Sequence, residues 1–271
     1  MKRILPILML MAVPALAAPS DPSRYGACME LAPKDPARAL ELAYAWRLEG
    51  GSNVAARHCL AIAQMYARHH DAAMKSYEAA GQASEDAADG QAIALWRQAA
   101  EAALIANRPG EAVRFLTRAL ARPGGVELSP RAEADLRLAR AEALVDSGKP
   151  AEAMADLDAV TQLAPGSLTG WLLKATLHRR QGDLALAEAA LLKAAALAPE
   201  SPDVELEAGN IAAAKGDMVL ARQAWQAAAA DGPDTPAGRA AAAALGRMST
   251  TLPEKPLTDG LTDPGPPAIP R

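Results

Sequence analysis

The chain repeats itself at an interval of 34 residues, and this interval limits its possible folds more than any other feature. The tripeptide Gly-Asp-Leu at 182–184 recurs as Gly-Asp-Met at 216–218, and residues after it match at the same offset. One matched position carries alanine six times along the chain. These alanines are Ala39, Ala73, Ala112, Ala153, Ala187 and Ala221, with spacings of 34, 39, 41, 34 and 34. Such a repeat is typical of one structural unit that stacks on its neighbours, because a single copy cannot bury its own apolar face.

Composition indicates that the repeated unit is helical. Alanine accounts for 68 of the 271 residues, whereas the chain has only four tryptophans, four tyrosines and one phenylalanine. Alanine has the highest helix propensity, and the aromatic and β-branched residues that favour strands are scarce. Small side chains also suit thin layers of closely approaching helices. The sequence therefore predicts an all-α protein and argues against a sandwich, a barrel or a parallel sheet.

Residues that favour helix ends lie at the expected boundaries. Ser201 and Asp35 each precede a proline, which places a capping side chain before a proline at the first helical position. Gly182 and Gly216 can adopt the left-handed conformation that ends a helix. These residues predict pairs of helices joined by short turns.

The residues at the matched positions resemble the tetratricopeptide repeat, whose 34-residue unit is a helix-turn-helix. Its leading tryptophan is matched by Trp96 and Trp171, its first small residue by Ala61, Ala100, Ala141, Ala175 and Gly209, its second alanine by Ala73, Ala112, Ala153, Ala187 and Ala221, its aromatic position by Tyr77 and Trp225, and its closing proline by Pro165, Pro199 and Pro233. The resemblance covers about residues 22–248. It implies an α-solenoid of about five to six such units with a C-terminal capping helix, which we place at Thr235 to Met248.

Two insertions lengthen the interval in the middle of the chain. One is acidic, around Glu85, Asp86 and Asp89, and the other is the segment 122–125. We predict that both are longer loops between repeats.

The two ends of the chain are expected to lie outside the repeat domain of residues 18–248. A basic start, an apolar run from Ile4 to Ala17 and the small residues at 15–17 predict a signal peptide, residues 1–17, cleaved before Ala18. The alternative, a membrane anchor, would need an apolar run of about 20 residues. We expect a periplasmic protein without a further membrane segment. The proline-rich residues 249–271 are predicted to be a disordered tail, with a polyproline ligand or spacer as the alternative.

Charge and motif content narrow the function classes. The chain has 32 acidic and 28 basic residues, and loss of Lys2 and Arg3 with the signal peptide would make it more acidic. This balance argues against nucleic-acid binding, which needs a basic surface. No sequence motif for a catalytic site, a phosphate loop or haem attachment occurs. His69, His70 and Asp71, with His58 nearby, are a weak candidate metal cluster, since adjacent histidines diverge. We therefore expect no enzyme activity, no cofactor and no metal.

The two cysteines are expected to form a disulfide. Two thiols in an exported chain favour a bridge over free thiols. In the repeat register, Cys28 and Cys59 lie on the first helices of adjacent units, so a bridge would hold the N-terminal unit to the next one. The alternative is that Cys59 is a nucleophile with His58 as its base, which is disfavoured because neighbours on a helix point in different directions.

The family resemblance implies that the first helices of the units line a concave groove that holds a peptide or a helix of another protein. The residues it maps there are Arg97, Glu101, Leu138, Glu142, Leu172, Thr176, Arg179, Arg180, Leu206 and Asn210. Arg179 and Arg180 would favour an acidic segment. We predict a non-catalytic periplasmic scaffold or assembly factor, whose partner the residues do not identify. The alternatives are an accessory or small-ligand-binding protein of an envelope enzyme and a cell-wall-associated structural protein.

Overall fold

The computed structural model describes residues 21–51 and 53–251, and in these residues all regular structure is helical. The helices are α1 (Asp21–Leu31), α2 (Pro36–Leu48), α3 (Val54–Tyr66), α4 (His70–Ala87), α5 (Ala92–Ile105), α6 (Pro109–Leu120), α7 (Pro130–Asp146), α8 (Pro150–Leu163), α9 (Leu168–Gln181), α10 (Leu184–Leu197), α11 (Pro202–Ala214), α12 (Met218–Asp231) and α13 (Pro236–Thr251), with a 3-10 turn at Pro123–Gly125. The predicted all-α class is confirmed. The predicted signal peptide, residues 1–17, and residues 252–271 of the predicted tail lie outside the described residues.

The described helices form two compact units, one ending at Pro165 and the other beginning at Gly166. Unit 1 contains four helical hairpins, α1/α2, α3/α4, α5/α6 and α7/α8, and consecutive helices pack on one another. Large side chains are few in its core. Two of them, Trp96 and Phe115, stack with 5.8 Å between their ring centroids. The alanines at the repeat position, including Ala73 and Ala112, are fully buried around them. The helix-turn-helix arrangement predicted from the repeat is confirmed.

Unit 2 consists of two hairpins, α9/α10 and α11/α12, followed by the single helix α13. This last helix packs on α12 and α11, where Ala241 and Ala244 join the core around Trp225. Thr235 caps it, because its hydroxyl accepts a hydrogen bond from the backbone N–H of Gly238 at 3.0 Å. The structure thus contains the predicted capping helix, which continues to Thr251.

Three of the four predicted helix-end residues behave as expected. Asp35 accepts a hydrogen bond from the backbone N–H of Arg38 at 3.1 Å, and Gly182 and Gly216 have φ values of 88° and 85°. Ser201 does precede the first helical proline of α11, but its side chain makes no capping hydrogen bond. That part of the prediction is wrong, because position alone does not turn the hydroxyl toward the free backbone N–H groups.

The acidic insertion is a loop only in part. Asp89 lies in the connection to α5, as predicted, but Glu85 and Asp86 lie inside α4, which has 18 residues against 14 in α10. The indole N–H of Trp96 donates a hydrogen bond to Glu85 at 2.6 Å, and Arg118 donates to the same carboxylate. These partners give the carboxylate a fixed place at the end of the helix, so the extra residues extend α4. The second insertion contains the 3-10 turn and a non-helical stretch, as a longer loop should.

Cys28 and Cys59 form the predicted disulfide. It joins α1 to α3 with a Cα–Cα distance of 5.9 Å, and both residues are fully buried. The bridge connects the first helices of the first two hairpins and occupies the thiol of Cys59, so the nucleophile alternative is excluded. Within the described residues, no helix is both long enough and apolar enough to cross a bilayer.

Candidate functional site

The first helices of unit 1 place four predicted site residues on α5 and α7. Arg97 and Glu101 are exposed one turn apart on α5, and Glu142 is exposed on α7, whereas Leu138 is half-buried. None of the three charged residues belongs to the core of the hairpins. This face therefore offers both signs of charge to a partner.

A cavity of about 340 Å³ opens between α3 and α5 on this face. Its lining consists of Ile62, Met65 and Tyr66 from α3, Tyr77 from α4, and Gln98 and Glu101 from α5. Tyr66 is 53% exposed and Tyr77 only 5%, so one ring lies near the mouth and the other lies deeper. Of these six residues, the sequence prediction included only Glu101. The tyrosine at the end of α3 was the available signal for the rest.

A polar cluster lies next to this cavity. The hydroxyl of Tyr25 and Nδ1 of His58 are hydrogen-bonded at 2.8 Å, and the His58 ring lies 5.8 Å from the ring of Tyr77. Burial lowers the pKa of His58, and the nearby amide of Gln98 opposes this shift. Burial also raises the pKa of Tyr77, with the charge of Glu101 adding to it. Nε2 of His58 and Oε1 of Gln98 are both buried.

Unit 2 carries the other six predicted residues. They are Leu172, Thr176, Arg179 and Arg180 on α9, and Leu206 and Asn210 on α11; all are half-buried except Arg180, which is exposed. Helices α9 and α11 are in contact. The structure therefore brings the residues of these two first helices together within unit 2.

Arg179 and Asn210 already have partners inside unit 2. Arg179 donates two hydrogen bonds to Glu207, at 2.8 and 3.2 Å, and the Glu207 side chain is 7% exposed. The amide of Asn210 donates to Glu207 at 3.4 Å, and its carbonyl oxygen accepts from the indole N–H of Trp225 at 3.2 Å. The charge of Arg179 is thus balanced within the fold, and Arg180 is the exposed cation of the predicted pair.

Sequence reasoning missed Glu207, although a signal existed. The residue lies three positions after Val204 and four before Ile211, and both of these are buried. Helical periodicity therefore places Glu207 on the inward face. A buried carboxylate needs a paired cation, because an isolated charge in the interior is strongly destabilising, and Arg179 supplies it.

Most of the other arginines of unit 1 on α6 and α7 also have internal partners. Arg140 binds the buried Asp156 through two hydrogen bonds of 2.7 Å, and Arg137 reaches the same carboxylate at 3.2 Å. Arg114 is bound by two glutamates, and Arg118 by Glu85. These cations stabilise contacts between helices and are poor candidates for partner binding.

A second exposed surface lies on α10 and α12 in unit 2. Leu192 and Leu220 are 70% and 52% exposed and line a cavity of about 300 Å³, and Val219 beside Leu220 is 71% exposed. Nothing in the described part of the chain covers these side chains. The cavity is mainly apolar, and its charged lining residues are Glu188, Lys215 and Asp217.

The histidines do not form a metal site in the part of the chain that the structure describes. Among those residues, no group of three or more histidine, cysteine, aspartate or glutamate side chains could hold a metal ion. His69 lies immediately before α4 and His70 is its first residue.

Comparisons with known proteins agree with this architecture. A family model described as tetratricopeptide repeat matches residues 138–202 and 172–247, and no curated protein matches the chain. Among solved structures, YrrB, described as a TPR protein with an unusual peptide-binding site, has a TM-score of 0.53 and 18% identity, covering 78% of this chain and 98% of its own. PilF of Pseudomonas aeruginosa has a TM-score of 0.57 and 15% identity, covering 83% and 99%. PilW, described as a widely conserved type IV pilus biogenesis factor, has a TM-score of 0.56 and 18% identity. The match covers 81% of this chain and 97% of PilW. At these identities the likeness shows a shared fold.

Proposed function

We propose that this chain is a tetratricopeptide-repeat protein that acts as a non-catalytic interaction scaffold or assembly factor. In this proposal, the first helices of its hairpins hold a segment of a partner protein. Roles of this class are stated for two of the similar structures: YrrB has a peptide-binding site, and PilW is a pilus biogenesis factor. The partner of this chain is a protein, and no cofactor takes part.

The observation that carries the proposal is the contrast between the charged residues of unit 1. The arginines on α6 and most of those on α7 pair with carboxylates inside the fold. Arg97, Glu101 and Glu142 are instead exposed on α5 and α7, and Glu101 lines an open cavity. Exposed charged side chains, one of them on a concave and partly apolar surface, suit a protein-binding site.

In unit 2, the exposed Arg180 in the last turn of α9 favours an acidic partner segment. Replacing Arg180 with alanine should weaken partner capture without changing the free energy of unfolding. Replacing Arg179 should destabilise unit 2 instead, because it leaves the buried Glu207 without its cation. Comparing the two single variants separates a binding role from a structural role. Unchanged capture with Arg180→Ala would contradict the role of this residue.

We also propose that the protein is exported to the periplasm and that residues 1–17 are its signal peptide. A buried disulfide between Cys28 and Cys59 supports this location, since such bridges persist in oxidising compartments and are rare in the cytosol. The test is the mass of the protein recovered from the periplasmic fraction after alkylation. A chain that begins at Ala18 and carries no alkylated cysteine is expected. A chain that keeps residues 1–17, or a cytosolic location, would contradict the proposal.

Photo-crosslinking in intact cells tests the scaffold function. A photoreactive residue at Arg97 or Glu142 would sample the first-helix face, and one at the exposed Ala155 on α8 is the matched control on a second helix. We expect one defined partner to be captured from the first two positions and not from Ala155. Equal capture from all three positions, or none from any of them, would refute a partner site on the first helices.

A further inference from the structure

We propose that the cavity between α3 and α5 is a pocket for an arginine side chain of the partner. This inference rests on the proposed function, because it identifies which chemical group of a partner the first-helix face of unit 1 receives. The pocket consists of Ile62, Met65, Tyr66, Tyr77, Gln98 and Glu101.

The charge of the lining selects a cation. Glu101 is the one charged residue among the six, and its carboxylate only accepts hydrogen bonds when ionised. The half-exposed ring of Tyr66 and the deeper ring of Tyr77 present aromatic faces, which attract cations placed over them. Ile62 and Met65 offer apolar contact for an aliphatic stem. A long side chain with a positively charged end therefore complements every part of this lining.

The chemistry of the lining favours arginine over lysine. Glu101 provides a carboxylate beside the rings of Tyr66 and Tyr77. A guanidinium has five N–H donors on a planar group, which can bond both oxygens of one carboxylate and stack on an aromatic ring, whereas an ammonium is a compact point charge. Oε1 of Gln98 is buried and the Gln98 side chain interacts with His58, so Glu101 is the acceptor that a cation in the cavity meets.

The size of the cavity fits an arginine side chain, and the nearby Arg97 of the protein does not occupy it. Pockets for small ligands span about 300–1,000 Å³, and at about 340 Å³ this cavity suits a single side chain. Arg97 lies four residues before Glu101 on the same helix, but it is exposed and does not line the cavity. An arginine placed four residues before an acidic residue also has the less favourable orientation for pairing on a helix.

The test uses the full chain and a small probe, N-acetyl-arginine N-methylamide. The protein has four tyrosines, so selective isotope labelling of the tyrosine rings gives four sets of NMR signals, which single Tyr→Phe variants assign. Tyr44 on α2 is 50% exposed, close to the value for Tyr66, and is the internal control. We expect the probe to shift Tyr66 and Tyr77 with a dissociation constant on the order of 1 mM, and to leave Tyr44 unchanged.

Two further probes and two variants make the result specific. The citrulline analogue has nearly the same shape without the charge and should cause much smaller shifts, and the lysine analogue should bind more weakly. Glu101→Gln should weaken arginine binding about three- to tenfold, whereas Glu127→Gln, at an exposed glutamate between α6 and α7 that does not line the cavity, should leave it unchanged. Equal shifts with citrulline, equal shifts of Tyr44, or no shift of Tyr66 would overturn the proposal. If the probe does not bind but a partner is still crosslinked from Arg97, only the arginine pocket is refuted. If no partner is crosslinked, the partner site itself is refuted.

Discussion

Helices α11 and α12 pack closely at Gly209, and we expect that adding one methyl group there destabilises the protein. An alanine Cβ at this position would lie 2.4 Å from Cδ1 and 2.5 Å from Nε1 of Trp225. The ring would have to move by about 1 Å to reach an ordinary contact distance, since non-bonded carbons pack at about 3.5–4.0 Å. That movement would strain the 3.2 Å hydrogen bond from the indole N–H to Asn210.

The opposing effects of Gly209→Ala can be compared in size. Overpacking of a well-filled core costs about 1–3 kcal/mol, and a weakened hydrogen bond adds about 1 kcal/mol. Replacing glycine with alanine inside a helix stabilises by about 1 kcal/mol. We therefore expect a net loss of about 2 kcal/mol in the free energy of unfolding. The assay is urea unfolding followed by circular dichroism, with hydrogen exchange of α11 and α12 to localise the change.

Two variants give this prediction its controls. Gly246→Ala lies in α13, where the new methyl group would have no atom within 4 Å, so it should stabilise by about 0.5–1 kcal/mol. In a Trp225→Leu background, the Gly209→Ala change should lose its penalty, because the preceding hairpin combines Ala175 with Leu191 at the two matched positions. If Gly209→Ala stabilises as much as Gly246→Ala does, or if its cost is the same beside leucine, the reasoning is wrong.

Three more predictions concern the bridge and the buried carboxylates. The Cys28→Ser/Cys59→Ser variant should lose about 4 kcal/mol of stability, because the bridge spans a sequence separation of 31 residues. Urea unfolding of both proteins without reductant measures this loss, and a loss below about 1 kcal/mol would contradict the prediction. The hydrogen bond from Arg118 holds the pKa of Glu85 below its ordinary 4.5. The stabilisation from this hydrogen bond is therefore present above pH 4.5 and lost as the pH falls below that value. In unfolding curves, the free energy of unfolding of Glu85→Gln should fall less steeply with decreasing pH than that of the wild type, and an unchanged slope would refute this. Glu207→Gln should cost about 1.5–3 kcal/mol in urea unfolding, since it removes a charged pair that is nearly buried; no loss would mean that the pair only balances its own desolvation.

Local packing in this protein could be predicted from the sequence because the repeat provides several independent copies of it. Alanine at the same place in successive units predicts a close contact between helices, and Ala73, Ala153 and Ala221 are all fully buried. The left-handed residues Gly182 and Gly216 were predicted for the same reason. Each such position follows from short-range backbone geometry and from the volume of one side chain, which a single sequence already contains.

Interactions specific to one hairpin could not be predicted in this way. Arg179 and Glu207 are 28 residues apart, and whether they pair depends on how α9 and α11 lie together. Glu85 extends α4 because Trp96 and Arg118 bind it from two other helices. A repeat pattern contains no information on such contacts. It therefore predicted a loop at Glu85 and a partner-binding role for Arg179, which has its own buried partner.

The same departures from the common repeat also determine where a pocket can exist. At one matched position the second helix carries Tyr77 in α4 and Trp225 in α12, where α6, α8 and α10 have leucine. Because its first helix provides Gly209, Trp225 packs directly against the backbone there and leaves no space beside it. The matching small residue of α3 is Ala61, and the ring of Tyr77 instead approaches the His58 ring and lines the cavity beside α5. At this position the ring therefore lies against the first helix where that helix has glycine, and it lines a cavity where that helix has alanine.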